Sequence, residues 1–377
     1  HVLMYGIFFF KQKTAYEMLR SLVGSEMCIR DSYGGFAGTE SQLSERDISA
    51  HPTIIDGEDA RQCVKNSGVL DGFHITRGES ERGGGIYNTG TVTNCTVYNN
   101  NATGNNGTGG GVYNSGTVTN CTVYGNSSPG NWYGGGGIYN DSYGMVTNCT
   151  VYGNSATNDG GGIYNSSGTV TNCTVYGNSA KYSGGGIYNY DSGTVTNCTV
   201  YENKADYGGG IYNYEKGTVT NCTIYGNRSS THVIAKDFCG GGIYNKGTVT
   251  NCIVWDNYTE DFKFSGGVVK YSCFSGGISG GGNISDNPMF VNVSGDDPTK
   301  WDLRLQPNSP CIDKGTSEGA PDYDILGVKR PQGSGYDMGA YEYIPSIPAI
   351  ISHILGKKPF TPEEKNAADD NKDNIID

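Results

Sequence analysis

The chain has 377 residues, 60 of them glycine, with 38 acidic against 26 basic side chains and a net charge of −12. So acidic a chain is not built to neutralise phosphates, which excludes a nucleic-acid partner, and no run of about 18 apolar residues is present to span a bilayer. Abundant glycine, threonine and tyrosine with little leucine favours strands joined by sharp corners, and the absence of a three-residue glycine period excludes collagen.

In chain order, residues 1–32 share no periodicity with the rest of the chain. Residues 8–32 resemble a translated sequencing adapter: residues 11–17 and 22–31 read as its two blocks, and Phe8, Phe9 and Phe10 as a poly-T leader. No native fold is expected there, and Cys28 receives no role. The competing reading is a signal peptide, but its apolar core "HVLMYGIFFF" is short and its positive charges follow rather than precede it. The authentic chain is expected to start near Tyr33, with incomplete N-terminal coils over residues 33–80.

Residues 81–287 repeat. The block Gly-Gly-Ile/Val-Tyr-Asn recurs at Ile86, Val112, Ile138, Ile163, Ile187, Ile211 and Ile243, spaced by 26, 26, 25, 24, 24 and 32 residues. A unit of that length cannot bury a core alone, so copies must stack. Leucine-rich and helical repeats lack their framework here, and a propeller blade needs about 40 residues. In "GIYN" Ile and Asn share one face and Tyr the other; in "NCTVYGN" Cys and Val share a face against Thr and Tyr. The architecture expected is all-β, a right-handed parallel β-helix with a short α-helical C-terminal tail. Its seven repeats would stand ~4.8 Å apart, in a prism on the order of 35 Å long. Asn recurs three times per coil, as in Asn165, Asn172 and Asn178, and stacked inward amides are expected to bond along each column.

Every repeat carries one cysteine in Thr-Asn-Cys: Cys95, Cys121, Cys149, Cys173, Cys198, Cys222 and Cys252. Metal ligands must converge on a point, and a period of one coil with no histidine in step does not do that. Coil-to-coil disulfides fall within reach, but side chains in a parallel ladder point the same way. The expectation is a column of buried free thiols acting as small hydrophobes. Cys63, Cys239, Cys273 and Cys311 lie off the ladder, and a pair among them is left open. The six Asn-Cys-Thr sequons follow from the repetition itself.

Tyrosines form two outward columns, Tyr87 to Tyr244 and Tyr98 to Tyr225, the second continued by Trp255. Aromatic faces suit sugar rings, so Tyr164, Tyr188, Tyr212, Tyr176, Tyr201, Tyr225 and Trp255 are the candidate carbohydrate-binding residues; the alternative is that the rings simply shield the sheet. Glycan chemistry by an enzyme needs paired carboxylates or acids with a basic partner. Asp159, Glu202, Asp206 and Glu215, with Lys181, Lys204 and Lys216, do not occupy equivalent positions in successive coils, so no catalytic residue is named. The insertion at 228–239 gathers His232, Lys236 and Asp237, and an insertion is where a solenoid carries function.

Residues 288–343 are expected to cap the solenoid. In 344–377, Ile347, Ile350, Ile351 and Ile354 keep helical spacing until Gly356 and Pro359, and "TPEE" reads as a capping box. Asp369, Asn371, Asp373, Ile375 and Asp377 then place oxygen donors as at the opening of a Ca²⁺ loop, with Asn374 where glycine is usual. The position-12 acid is missing, so weak calcium binding is expected.

Two sets of words carry a family resemblance. "GGGIYN" and "NCTVYGNSA" resemble the repeats of bacterial polymorphic outer-membrane β-helix proteins. "YGGFAGTE", "TIIDG" and "VLDGFHIT" before the repeats, with "NPMFVN", "LRLQPNSPCIDKG" and "GYDMGAYEY" after them, resemble secreted bacterial proteins with a choice-of-anchor Q domain. The tail resembles a truncated dockerin module. These resemblances imply a monomeric, extracellular or cell-surface scaffold that adheres to a surface or engages a glycan or host ligand, with cohesin as partner of a full tail. The alternative they leave is a polysaccharide lyase or glycoside hydrolase with its site on one β-helix face.

Overall fold

The computed structural model describes residues 7–9, 31–131, 134–229, 240–295 and 297–345. The expected C-terminal helix, the calcium-loop residues and the insertion residues His232, Lys236, Asp237 and Cys239 lie outside the described residues.

Each coil lays down the same four strands, and each strand pairs in parallel with its equivalent one coil away. The Ile-Tyr-Asn strands build a nine-stranded sheet, the Thr-Val-Thr strands an eleven-stranded one and the Thr-Val-Tyr strands a ten-stranded one. The fourth sheet, of seven two-residue strands such as Ser155–Ala156 and Ser179–Ala180, closes the coil. Register is set by like residues: Val146 pairs with Val170, Val151 with Val175 and Ile163 with Ile187. A slip of one residue would turn every aliphatic outward, which is why the alternation in sequence decides the register. The strands Ile7–Phe9 and Asp31–Tyr33 open the Thr-Val-Thr sheet and lead to Val69–Asp71. That sheet therefore takes in Ile7–Phe9, Asp31 and Ser32 from residues 1–32, where no native fold was expected.

The core is a set of straight columns: one of Ile and Val from Ile86 to Ile243, two of Val and Ile, and the cysteines, all essentially without solvent contact. Burying each such aliphatic contributes roughly 1.5–3 kcal/mol. The cysteines are free and buried. Each thiol also has hydrogen-bonding work: Cys173 Sγ donates to Thr171 O at 3.2 Å, and the Cys173 N–H donates to Cys198 Sγ at 3.5 Å.

Two of the three asparagines in each coil behave as the stacked amides expected. Nδ2 of Asn140, Asn165 and Asn189 donates to Oδ1 of the next rung at 2.7–2.8 Å. Asn154, Asn178 and Asn203 do the same at 2.9–3.0 Å, and also donate to two backbone carbonyls each. The third position is different. Asn172, the asparagine of Thr-Asn-Cys, is not an inward rung but turns the corner before the cysteine with φ of 54°, as do Asn94, Asn120, Asn148, Asn197, Asn221 and Asn251. Asparagine tolerates this left-handed conformation better than most side chains. The glycine triplets answer a separate demand: a Cβ on Gly185 would sit 2.4 Å from Lys204 O and 2.5 Å from Gly209 O.

The segment expected as a cap runs back along the side of the last coils. It contains an antiparallel pair, Phe290–Asn292 with Asp302–Leu305. It docks on the corner asparagines: Asn197 Nδ2 donates to Tyr323 O at 2.6 Å, Asn221 Nδ2 to Gly339 O at 3.3 Å, and Asn251 Nδ2 to Thr316 O at 2.7 Å. A second apolar cluster seals the seam, with Ile253, Cys273, Leu303, Leu305, Cys311 and Met338 at its centre.

Candidate functional site

The two tyrosine columns are present, and their ring faces are occupied by one another. From Tyr87 to Tyr244, successive rings stack with centroids 4.7–5.1 Å apart. From Tyr98 to Tyr201 the separations are 5.0–5.3 Å. A sugar ring stacks on an aromatic face, and within a continuous stack only edges and hydroxyls are left. Tyr164 is 3% exposed, Tyr201 9% and Tyr225 7%, while Tyr188, Tyr212, Tyr176 and Trp255 are half-buried. Burial is also the main reason the phenols of Tyr164, Tyr188 and Tyr212 are held well above their ordinary pKa.

What fails to repeat is sorted onto different corners. Asp159, Lys181 and Asp206 lie on the ridge between the two-residue strands and the Ile-Tyr-Asn strands. There loops follow one another through Tyr182 N to Asn158 O at 3.1 Å and Tyr207 N to Tyr182 O at 2.7 Å. Asp159 accepts from Ser183 N–H at 2.9 Å, and burial pushes its carboxyl up to about 6. Glu202 sits past the Thr-Val-Tyr strand, Lys204 on the next short strand, and Glu215 with Lys216 on the opposite turn. Asp159, Lys181 and Asp206 thus share one ridge, while Glu202, Lys204 and the Glu215–Lys216 turn lie on other parts of the coil. Among the described residues, no group of three or more His, Cys, Asp and Glu side chains is placed to hold a metal.

Two aromatic residues escaped the sequence reading. Tyr190 and Tyr214 follow the rung asparagines Asn189 and Asn213, stack at 5.5 Å, and form an outer layer over the first column, with Lys246 Nζ 4.6 Å from the Tyr214 ring centre. Their signal was a tyrosine where other repeats have Thr89, Ser115, Asp141, Ser166 or Lys246.

A concave site forms where the flanking segment meets the second column. Tyr225 leaves the stacking pattern and packs edge-on against Trp301 at 5.1 Å and Phe290 at 5.6 Å. Beside it opens a crevice of about 470 Å³ lined by Tyr225, Trp255, Asp256, Asn287, Met289, Phe290, Val293 and Gln306. Its polar groups are held in place by their own bonds. Tyr225 O–H donates to Asp256 Oδ2 at 2.9 Å, Asn287 Oδ1 accepts from Met289 N–H at 2.8 Å, and Gln306 Nε2 donates to Phe290 O at 2.7 Å. This volume is in the range of small-ligand sites, and the mix of apolar wall with a few oriented amides and one carboxylate suits a polar ligand with an apolar face. The crevice brings together two of the sequence candidates, Tyr225 and Trp255, and leaves the other five along the solenoid wall.

This architecture defines a class. The family model described as the right handed beta helix region matches residues 63–228 and 163–298, overlapping spans that cover more than half of the chain. The chain belongs to that family, and its coils turn right-handed. Among solved structures, the crystal structure of pectate lyase Pel9A is similar with a TM-score of 0.45 and 18% identity, over 77% of this chain and 76% of that one. No curated protein matches the chain. Among the described residues, no helix is long and apolar enough to cross a membrane.

Proposed function

We propose that this chain is an extracellular or cell-surface scaffold that binds carbohydrate in the crevice between its last coils and the flanking segment. The observation that supports this reading is the convergence there of Trp255 and Tyr225 with Asp256, Asn287 and Gln306. Sugars offer an apolar C–H face ringed by hydroxyls, and a ring beside oriented amide and carboxylate groups meets both. Adhesion follows if the bound glycan belongs to another surface. The attachment half of the proposal rests on the tail: Asp369, Asn371, Asp373, Ile375 and Asp377 would supply oxygen to Ca²⁺ in a dockerin-like loop for a cohesin partner.

A glycan array on the full chain tests the first half. Binding is expected, and Trp255→Ala should weaken it by about 5- to 150-fold, as loss of about 1–3 kcal/mol of stacking implies. Tyr87→Ala, far along the solenoid, should leave it intact. Equal binding by the Trp255 variant removes the crevice from consideration. Eliminase and reducing-sugar assays on every bound glycan separate binding from turnover, and turnover would move the reading to a lyase or hydrolase on a β-helix face.

A further inference from the structure

Cys273 lies outside the cysteine ladder for a reason visible in the register. It pairs with Ile253, which pairs with Thr223, so it stands in the outward column of the Thr-Val-Tyr sheet. The inward position of that last coil belongs to Ser272, whose Oγ accepts the Cys252 N–H at 3.0 Å and so continues the ladder. Cys273 therefore points across the seam, where Cys311 of the flanking segment meets it. Both are fully buried in the seam cluster. A hydrogen bond with the Cys273 thiol, together with burial, holds the Cys311 thiol far above its ordinary range.

The ladder thiols are placed differently. Parallel neighbours in register point the same way, and each already donates to a carbonyl two residues back, as Cys198 does to Thr196 O at 3.2 Å. A bond between two of them would break those contacts and leave their other neighbours unmatched. Cys273 and Cys311 come from separate elements and lie in the same buried cluster, so a bond between them would cross the seam without disturbing the ladder. Reduced, Cys273 Sγ donates to Asp286 O at 3.2 Å, a contact given up on oxidation.

We propose that Cys273 and Cys311 form a disulfide that ties the flanking segment to the last coil. Formation is by thiol–disulfide exchange with a small disulfide or a dithiol oxidoreductase. One thiolate attacks the oxidant's disulfide and releases its first thiol. The second thiolate then displaces the remaining half, so both cysteines are oxidised and the oxidant leaves as two thiols. Burial of both thiols in the finished structure requires that the exchange take place as the segment docks. The closed loop contains Asn287, Met289, Phe290, Val293 and Gln306, one wall of the crevice. The cross-link thus fixes that wall, but it stands on the seam geometry and does not depend on what the crevice binds.

The full chain, refolded with oxidised glutathione and with dithiothreitol in parallel, tests this. In the oxidised sample a tryptic map without reductant should contain the Cys273 peptide joined to the Cys311 peptide, about 2 Da below the sum of the two. Thiol titration in denaturant should find two fewer thiols than in the reduced sample. Trypsin cuts after Lys300 or Arg304, which lie exposed between the two cysteines, should leave fragments that separate only on reduction. The urea midpoint should be higher in the oxidised sample, and that difference should vanish in Cys273→Ser and in Cys311→Ser. A full thiol count after oxidation, or a linked peptide joining ladder cysteines, Cys63 or Cys239 instead, overturns the proposal. If either variant fails to fold, the two wild-type samples still decide it.

Discussion

The solenoid and the segment docked on its flank are held together by opposite means. In the solenoid the same contact recurs from coil to coil: rung amide on rung amide, thiol on backbone, ring on ring. In the flanking segment each contact occurs once. Arg330 is buried without solvent contact and bonds Glu342 at 2.8 Å, Gly339 O at 2.9 Å and Asn197 Oδ1 at 3.4 Å. Asp337 accepts from Asp313 N–H at 2.8 Å and Tyr343 N–H at 2.6 Å, and Asp324 accepts from Glu342 N–H at 2.9 Å. A ladder shares the loss of one rung among equivalent neighbours, whereas a single network has no spare partner.

The largest effect should come from the network. Arg330→Met leaves Glu342 buried without its cation, and breaking a buried pair from one side costs about 3–5 kcal/mol. The flanking segment should become sensitive to protease in this variant while the β signal of the solenoid persists. If both regions melt together at the wild-type midpoint, the distinction between them fails.

A smaller loss is expected from the ladder. Asn165→Ala removes the acceptor of Asn140 at 2.7 Å and the donor to Asn189 at 2.8 Å. An orphaned buried group costs about 1–3 kcal/mol; Asn140 Nδ2 keeps its bond to Gly144 O at 3.0 Å, so the loss falls on Asn189 Oδ1. Hydrogen exchange should quicken in the adjacent coils and stay unchanged in the flanking segment. Unfolding of the whole chain on this one substitution would show that the ladder has no such reserve.

A third effect is one of pH. Burial pushes the Asp337 carboxyl up to about 7, with the Glu342 carboxylate adding to it. A carboxyl raised in the folded state contributes stability that is complete below its unfolded value near 4 and is lost as pH rises through the folded one. The protease resistance of the flanking segment should therefore decline between about pH 4 and pH 7 and level off above. Resistance that grows over that range would reverse the assignment of Asp337 as the strained group.

Much of the solenoid was legible before any coordinates. Ile187, Tyr188 and Asn189 alternate in sequence as they alternate in space, because a strand has no other way to present them. The inward cysteines were readable on the same grounds. Asn172 was not, since an inward rung and a left-handed corner call for the same residue type, and only the backbone angle tells them apart. The crevice was half legible. Trp255 and Tyr225 stood out by belonging to a column, but Asn287 and Gln306 belong to no repeat and carry no periodic signal. Nor did the sequence distinguish a tyrosine face open to a sugar from one covered by the next tyrosine.

The sequence by itself determined the coil, its register and the composition of its core, because each is a local consequence of alternation repeated at a constant period. Only the tertiary structure decided where residues 288–343 lie, which cysteines face each other and where a concavity opens. Those depend on contacts between residues far apart in the chain, such as Asn197 with Tyr323 and Cys273 with Cys311, for which no repeat supplies a template.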